Sequence, residues 1–134
     1  MPDSQEMELH IPGRITLADG WVLQAKQVLA NNKIIEVITS NTDSFQAWFD
    51  ADALPETLQV RSRHPGDRFK PLGMHGHSLK VSDLMVNLKV PQRARLGWPL
   101  VCAGGEIIWV PGCRQAHRGQ VGEETQRVIQ LKLE

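Results

Sequence analysis

Short apolar or alternating segments, separated by turn residues, run through the whole chain and predict a fold built mainly of β-strands. In the first 57 residues these segments are 9–11, 14–17, 21–29, 34–38 and 45–49. Pro12-Gly13 and Asp19-Gly20 divide the first three, and Asp-Gly is a typical hairpin turn. We therefore expect the N-terminal part to be a strand meander, after which Asn31-Asn32 turns the chain into residues 34–38.

The segment 58–62 alternates well enough to form a strand. Side chains repeat every two residues along a strand, so Gln59, Arg61 and Arg63 should share one face. Five prolines and glycines between positions 65 and 76 then predict a rigid, irregular loop over 63–76. Arg61 and Arg63 are thus expected to project together where the strand meets this loop.

Two short helical turns and three further strands are expected beyond the loop. Ser82 is a candidate cap for a helix that reaches about Leu88, and Val90-Pro91 should end it before a second short turn over 92–96. Strands are predicted over 99–103, 106–110 and 126–133, the first two joined as a hairpin across Gly104-Gly105. Many strands with two short helices indicate an α+β domain rich in antiparallel sheet.

Length and composition are those of one folded domain with a single core. The chain has 134 residues and 41% hydrophobic content. Its apolar runs are far shorter than the roughly 20 residues of a membrane helix, so we expect a soluble, cytoplasmic protein. Cys102 and Cys113 lie in apolar stretches and are expected to be reduced, buried thiols.

The net charge is zero, but the charges are distributed unevenly. Residues 1–57 hold three basic and nine acidic side chains, whereas residues 58–119 hold ten basic and three acidic ones. A basic segment inside a neutral protein is typical of a face that binds a polyanion. The alternative is a solvated surface on which these charges mix in three dimensions with those of the acidic half.

Residues 61–73, with the sequence RSRHPGDRFKPLG, resemble the signature of the C-terminal domain of tRNA(Ile)-lysidine synthetases. As in that family, further ordered positions follow: Gly76, Lys80, Asp83, Lys89-Val90-Pro91, Arg95, Pro99-Leu100, Trp109-Val110-Pro111-Gly112, Arg114 and Thr125. The similarity covers roughly residues 58–133. We therefore divide the chain into an acidic, β-rich segment, 1–57, and the family's C-terminal domain, 58–134, within one compact unit.

The resemblance implies a small β-sandwich with flanking helices, a fold shared with a domain of phenylalanyl-tRNA synthetase. It also implies an enzyme that uses ATP and magnesium to join lysine to the wobble cytidine of isoleucine tRNA. In the family this reaction belongs to an N-terminal domain with an S-G-G-x-D-S phosphate loop, and no such loop occurs here. The chain is therefore expected to be non-catalytic and to bind no cofactor itself. Its expected partners are tRNA(Ile) and the catalytic domain, with a homodimer possible.

Nine basic residues are the candidates for RNA contact: Arg61, Arg63, Arg68, Lys70, Lys80, Lys89, Arg93, Arg95 and Arg114. Guanidinium groups bind phosphates through paired hydrogen bonds. One alternative is that Arg61 or Arg68 pairs internally with Asp67 and braces the loop, and another is that the later lysines and arginines are merely solvated. A scaffold that docks onto the catalytic domain without RNA affinity is the rival function.

Several positions depart from the family pattern. The family tends to carry Lys or Arg where this chain has Leu79, Ser82, Leu88 and Gln92, and Leu96 stands where an Asp commonly follows Arg95. These changes remove positive charge from the suspected tRNA face, and they are expected to affect the strength of RNA binding.

Other polar and aromatic residues are assigned structural roles. His75, His77, Cys113 and His117 provide enough ligands for zinc, but paired C-x-x-C spacing is missing and no metal is expected. Phe69, Trp98 and Trp109 should pack in the core or anchor loops rather than stack on bases. Asp67 and Asp83 are expected at a turn and at a helix start, with no acid–base role.

Overall fold

The computed structural model describes residues 7–17, 20–62, 66–70, 77–87, 98–116 and 119–134. In chain order its strands are β1 (Met7–His10), β2 (Gly13–Thr16), β3 (Val22–Leu29), β4 (Gln46–Asp50), β5 (Thr57–Ser62), β6 (Arg68–Phe69), β7 (Leu79–Lys80), β8 (Pro99–Ala103), β9 (Glu106–Val110), β10 (Arg114–Gln115) and β11 (Arg127–Leu133). The helices are α1 (Asn32–Ser40) and α2 (Val81–Asn87), with a 3-10 turn at Ala51–Ala53. None of the described helices is long and apolar enough to cross a membrane.

The strands form two antiparallel sheets and a separate two-stranded ribbon. One sheet has the order β1-β5-β8-β9-β10 and the other the order β2-β3-β11-β4, while the ribbon pairs β6 with β7. Both sheets contribute to a single cluster of buried apolar side chains, as in a sandwich. The expected α+β class, mostly antiparallel with few helices, is confirmed.

The five-stranded sheet is covered on both faces. Consecutive residues along β8 and β9 are buried, although their side chains alternate between the two faces. Phe69, Val81 and Leu84 belong to the same buried cluster, and β6 contacts β9. The ribbon and α2 therefore form a thin third layer against this sheet, built from the segment that follows β5.

The N-terminal strands do not form the expected meander. Strand β1 pairs with β5, where Leu9 lies opposite Leu58 and both are fully buried, whereas β2 and β3 form a hairpin in the other sheet. The ladder between β1 and β5 extends to Ile11, whose backbone N–H donates to the carbonyl of Glu56 at 3.0 Å. Pro12 has no N–H to continue it, and the chain changes sheets there.

Residues 32–40 form α1, a helix that the strand-like sequence pattern did not predict. Its β-branched residues favour strands by propensity, but Asn31 caps the helix, its side-chain oxygen accepting the Ile34 N–H at 2.9 Å. The irregular loop predicted over 63–76 also contains regular structure, since β6 lies within it. Helix α2 begins at Val81, so Ser82 lies in its first turn rather than at its cap.

The free edge of β4 is closed by the segment that carries β10. Gly112 N–H donates to the Ser44 carbonyl at 2.9 Å, and the Gln115 side-chain amide donates to the Trp48 carbonyl at 2.7 Å. Asp50 N–H completes the row by donating to the carbonyl of Gly119 at 2.7 Å. These bonds join the two sheets along one side of the sandwich.

Gly112 is expected to be intolerant of a side chain, because its φ is +77° and an added Cβ would lie 2.9 Å from Phe45 and 3.3 Å from Trp98. Gly112→Ala should therefore combine a backbone cost with an overpacking cost of about 1–3 kcal/mol. Gly104→Ala is the matched control, since its φ of +60° brings backbone strain but no atom lies within 4 Å of the new methyl. Urea denaturation of both variants measures the difference, and equal losses would contradict the packing argument.

Candidate nucleic-acid interface

Arg61 and Asp67 form a two-pronged ion pair at the start of the signature segment. The Arg61 Nη1 and Nη2 atoms donate to the two Asp67 carboxylate oxygens at 3.0 and 3.1 Å. Nη1 also donates to the Ser62 carbonyl at 3.0 Å. The two side chains are only 13% and 12% exposed, so water screens the pair weakly. Of the alternatives left open by the sequence, Arg61 therefore takes the internal pairing with Asp67.

This ion pair fixes the third layer to the five-stranded sheet. The hydrogen bonds that Arg61 donates to the Asp67 carboxylate raise the pKa of Arg61 above its ordinary value, so the guanidinium is charged at every accessible pH. The Asp67 backbone carbonyl also accepts the Val81 N–H at 2.9 Å. One residue thus holds both the end of β5 and the first residue of α2.

The ribbon places three cations together on exposed positions. Arg68 lies directly opposite Lys80, and Lys70 follows two residues after Arg68. Both Nε and Nη2 of Arg68 donate to the Ser78 hydroxyl at 3.1 Å. Within the ranges that the structure describes, no carboxylate lies within ion-pair distance of Lys70 or Lys80. Like charges directly opposite each other are unfavourable in a strand pair.

The remaining candidates are distributed differently. Arg114 lies on β10, three strands from β5, where it is half-buried and lines a cavity of about 190 Å³ with residues 41–44. Arg63, Lys89, Arg93 and Arg95 fall outside the described residues. The structure therefore brings Arg68, Lys70 and Lys80 together, whereas it uses Arg61 as a brace and separates Arg114 from them. No sequence pattern pointed to the hydrogen bonds that Ser78 accepts from Arg68.

The cysteines and histidines show no metal centre among the described residues. The ranges described contain no group of three His, Cys, Asp or Glu side chains able to hold an ion, and His75 and His117 lie outside these ranges. Neither cysteine forms a disulfide; Cys102 is buried, as predicted, whereas Cys113 is only half-buried. Burial raises the pKa of Cys113 to about 11, so this side chain is a neutral thiol at physiological pH rather than a thiolate ligand.

The aromatic residues near the signature are structural, as expected. Phe69 and Trp109 are buried in the core, and the half-buried Trp98 donates its indole N–H to the Pro111 carbonyl at 2.8 Å. The sequence reasoning missed a surface pair, Trp21 and Phe45, whose rings stack with centroids 5.8 Å apart. Asp83 lies in the first turn of α2, as predicted for a helix-start residue.

Comparison with solved structures shows that the same fold occurs in two other proteins. A crystal structure described as the TilS C-terminal domain superposes with a TM-score of 0.83 at 23% identity, covering 98% of this chain and 96% of that one. An N-terminal fragment of the phenylalanyl-tRNA synthetase beta-subunit from Pyrococcus horikoshii matches with a TM-score of 0.53 at 17% identity, over 66% of this chain and 27% of that one. At these identities the likeness establishes the fold.

Sequence comparison identifies the family. The model of the TilS substrate C-terminal domain matches residues 58–132, more than half of the chain. A tRNA(Ile)-lysidine synthase of Geobacter sulfurreducens is 30% identical over 139 residues, an alignment that covers 98% of this chain and 27% of that protein. The chain belongs to the TilS substrate C-terminal domain family. It spans between 18% and 27% of the length of the first curated relatives that it matches.

The Arg61–Asp67 pair is expected to contribute strongly to stability, because removing one partner leaves the other charge mostly buried without compensation. Asp67→Asn should lower the free energy of unfolding by about 3 kcal/mol. Asp52→Asn is the matched control, since its pair with Arg127 is long, at 3.5 Å, and its side chain is 65% exposed. The control should lose less than about 1 kcal/mol. Equal losses in denaturant melts of the two variants would show that the Asp67 pair is not a brace.

Proposed function

We propose that this chain is the tRNA-binding part of a tRNA(Ile)-lysidine synthetase. The observation that carries the proposal is the ribbon, where Arg68 faces Lys80 across a strand pair and Lys70 is exposed nearby. Such an arrangement is unfavourable by itself and becomes favourable when a phosphate backbone supplies the opposite charge. Family membership agrees with it, because the matched relatives are named for a tRNA.

The ribbon is suited to phosphate contact more than to base recognition. Lys70 and Lys80 are exposed, flexible cations, and a lysine ammonium acts on a phosphate as a point charge. Phe69, the ribbon's aromatic residue, faces the core and offers no ring for stacking. The ribbon would therefore add affinity for RNA without discriminating between sequences.

The proposal also assigns the ligation chemistry elsewhere. The sequence lacks the S-G-G-x-D-S phosphate loop. Its two consecutive glycines, Gly104 and Gly105, are followed by Glu106 and do not form this motif. ATP and magnesium would bind the catalytic domain of the whole enzyme, and this chain would hold the RNA substrate. The chain alone should therefore release no pyrophosphate from ATP in the presence of lysine and tRNA. Lysine-dependent release, followed with a coupled pyrophosphate assay, would contradict this division of roles.

Lys70→Gln and Lys80→Gln are each expected to weaken tRNA binding and to lower the slope of log affinity against log salt by about one. Because the contacts are to phosphate, an unrelated RNA should lose as much affinity as tRNA(Ile). Lys33→Gln is the matched control, since Lys33 is exposed on α1 and its loss changes the net charge equally. Fluorescence anisotropy at several salt concentrations measures the slopes. Unchanged slopes in both ribbon variants would favour the rival function, a surface that docks onto the catalytic domain.

A further inference from the structure

The outer face of the four-stranded sheet carries a group of polar side chains. Leu23, Ala25 and Leu131 belong to the buried core, so the residues that alternate with them along β3 and β11 point away from it. Together with one neighbour on β2, these residues form a surface that we call the Gln24 face: Arg14, Gln24, Lys26, Gln130 and Lys132.

Three cations surround Gln24 on this face. Gln24 lies directly opposite Arg14 on one side and Lys132 on the other, and Lys26 follows it two residues along β3. Diagonal neighbours across a strand pair are about 7–8 Å apart, so these side chains begin close to one another. Arg14 and Lys26 are exposed, and among the described residues no carboxylate lies within ion-pair distance of either. Their positive charge is therefore not neutralised by this part of the fold.

Lys132 differs from the other two cations because it has an acidic neighbour. Its ammonium lies 3.1 Å from the Glu134 carboxylate, and the two side chains are 41% and 58% exposed. Exposed pairs of this kind are screened by water and weak, so an external anion can compete for Lys132. The Gln24 face thus keeps an excess of positive charge even while this pair is formed.

A depression of about 100 Å³ lies within the face, lined by Gln24, Lys26, Gln130, Lys132 and Glu134. Pockets for whole organic ligands usually measure about 300–1,000 Å³, so this depression suits a single small group. Lysine ammonium groups and the Gln24 amide can donate hydrogen bonds, and phosphate oxygens accept them. A phosphate group therefore fits both the size of the depression and the excess positive charge around it.

The fold gathers on this face most of the positive charge of an acidic segment. Residues 1–57 hold three basic and nine acidic side chains, and two of the three basic ones are Arg14 and Lys26. Acidic residues of the same segment lie elsewhere, with Glu8 on β1 of the other sheet and Glu36 on α1. A local excess of one charge attracts a partner of the opposite charge. Contacts with a polyanion are therefore expected outside the basic segment 58–119 as well.

The Gln24 face and the ribbon lie on opposite sides of the sandwich. The ribbon packs against the five-stranded sheet, whereas the Gln24 face is the outer surface of the four-stranded sheet. Packed layers are about 10 Å apart, so at least about 20 Å separates the two surfaces. One straight stretch of RNA cannot contact both, and each surface would need a stretch of its own.

We propose that the Gln24 face is a second RNA-binding surface, where Arg14, Lys26 and Lys132 contact phosphates of a different stretch of RNA from the one at the ribbon. The inference rests on the proposed function, because it takes RNA to be the polyanion. The side chains of the face are amines, amides and a guanidinium, with no aromatic ring on which a base could stack. The contacts are therefore to the sugar–phosphate backbone and carry no sequence preference.

Arg14→Gln and Lys26→Gln should each lower the slope of log affinity for tRNA against log salt by about one. Their melting temperatures should match the wild type, because both side chains are exposed and neither has an ion-pair partner among the described residues. Lys33→Gln is the matched control, since Lys33 is the third basic residue of the segment 1–57 and lies on α1. Unchanged slopes in both face variants would indicate an acidic protein surface as the occupant and would overturn the inference.

A short, straight RNA duplex tests whether the two surfaces are separate. The wild type should bind two such duplexes, whereas the Arg14→Gln/Lys26→Gln and Lys70→Gln/Lys80→Gln double variants should each bind one. Native mass spectrometry counts the bound duplexes. In a nuclear magnetic resonance titration, the backbone amides of Gln24 and Lys26 should shift in the wild type and in the ribbon variant.

The possible results separate the inference from the proposed function. A single duplex that is lost in the ribbon variant and retained in the face variant would overturn the inference and leave the ribbon as the RNA-binding surface. A single duplex that is lost in the face variant and retained in the ribbon variant would support the Gln24 face and overturn the part assigned to Lys70 and Lys80. Failure of the wild type to bind tRNA or the duplex at any salt concentration would overturn both.

Discussion

The ion pair between Arg61 and Asp67 is the interaction on which the organisation of this domain depends. Two hydrogen bonds in a weakly hydrated place join the end of a central strand to the loop that leaves it. The same aspartate receives the first backbone N–H of α2. The five-stranded sheet could exist without this pair, but the ribbon and α2 would then lose this polar attachment to the sheet and keep the apolar contacts of Phe69, Val81 and Leu84.

This attachment divides the basic residues of the signature into two kinds. Arg61 forms an internal ion pair with Asp67, whereas Lys70 and Lys80, which lie on the third layer, are exposed to solvent. An internal salt bridge thus secures the layer whose surface carries the exposed cations.

Much of the fold could be predicted from the sequence because period-2 alternation and turn residues agree with the final pairing. The hairpin of β8 and β9 has the predicted bounds, since Gly104 and Gly105 adopt the positive φ angles that its turn requires. Helix α1 was not predicted because its β-branched residues favour strands, whereas the Asn31 side chain caps the first turn and stabilises the helix. The choice of sheet for β1 and the partner of Arg61 depend on residues distant in the chain, which local patterns cannot specify.

The position of β11 has a consequence for the order in which the domain can form. This strand lies between β3 and β4, pairing Leu133 with Leu23 on one side and Ile129 with Phe49 on the other. Strands β3 and β4 are therefore synthesised well before β11, the strand that lies between them, and cannot complete their pairing until it is made. Contacts so distant in sequence slow folding and leave apolar strand edges open meanwhile. A ribosome that stalls before β11 has emerged would expose the unpaired edges of both β3 and β4.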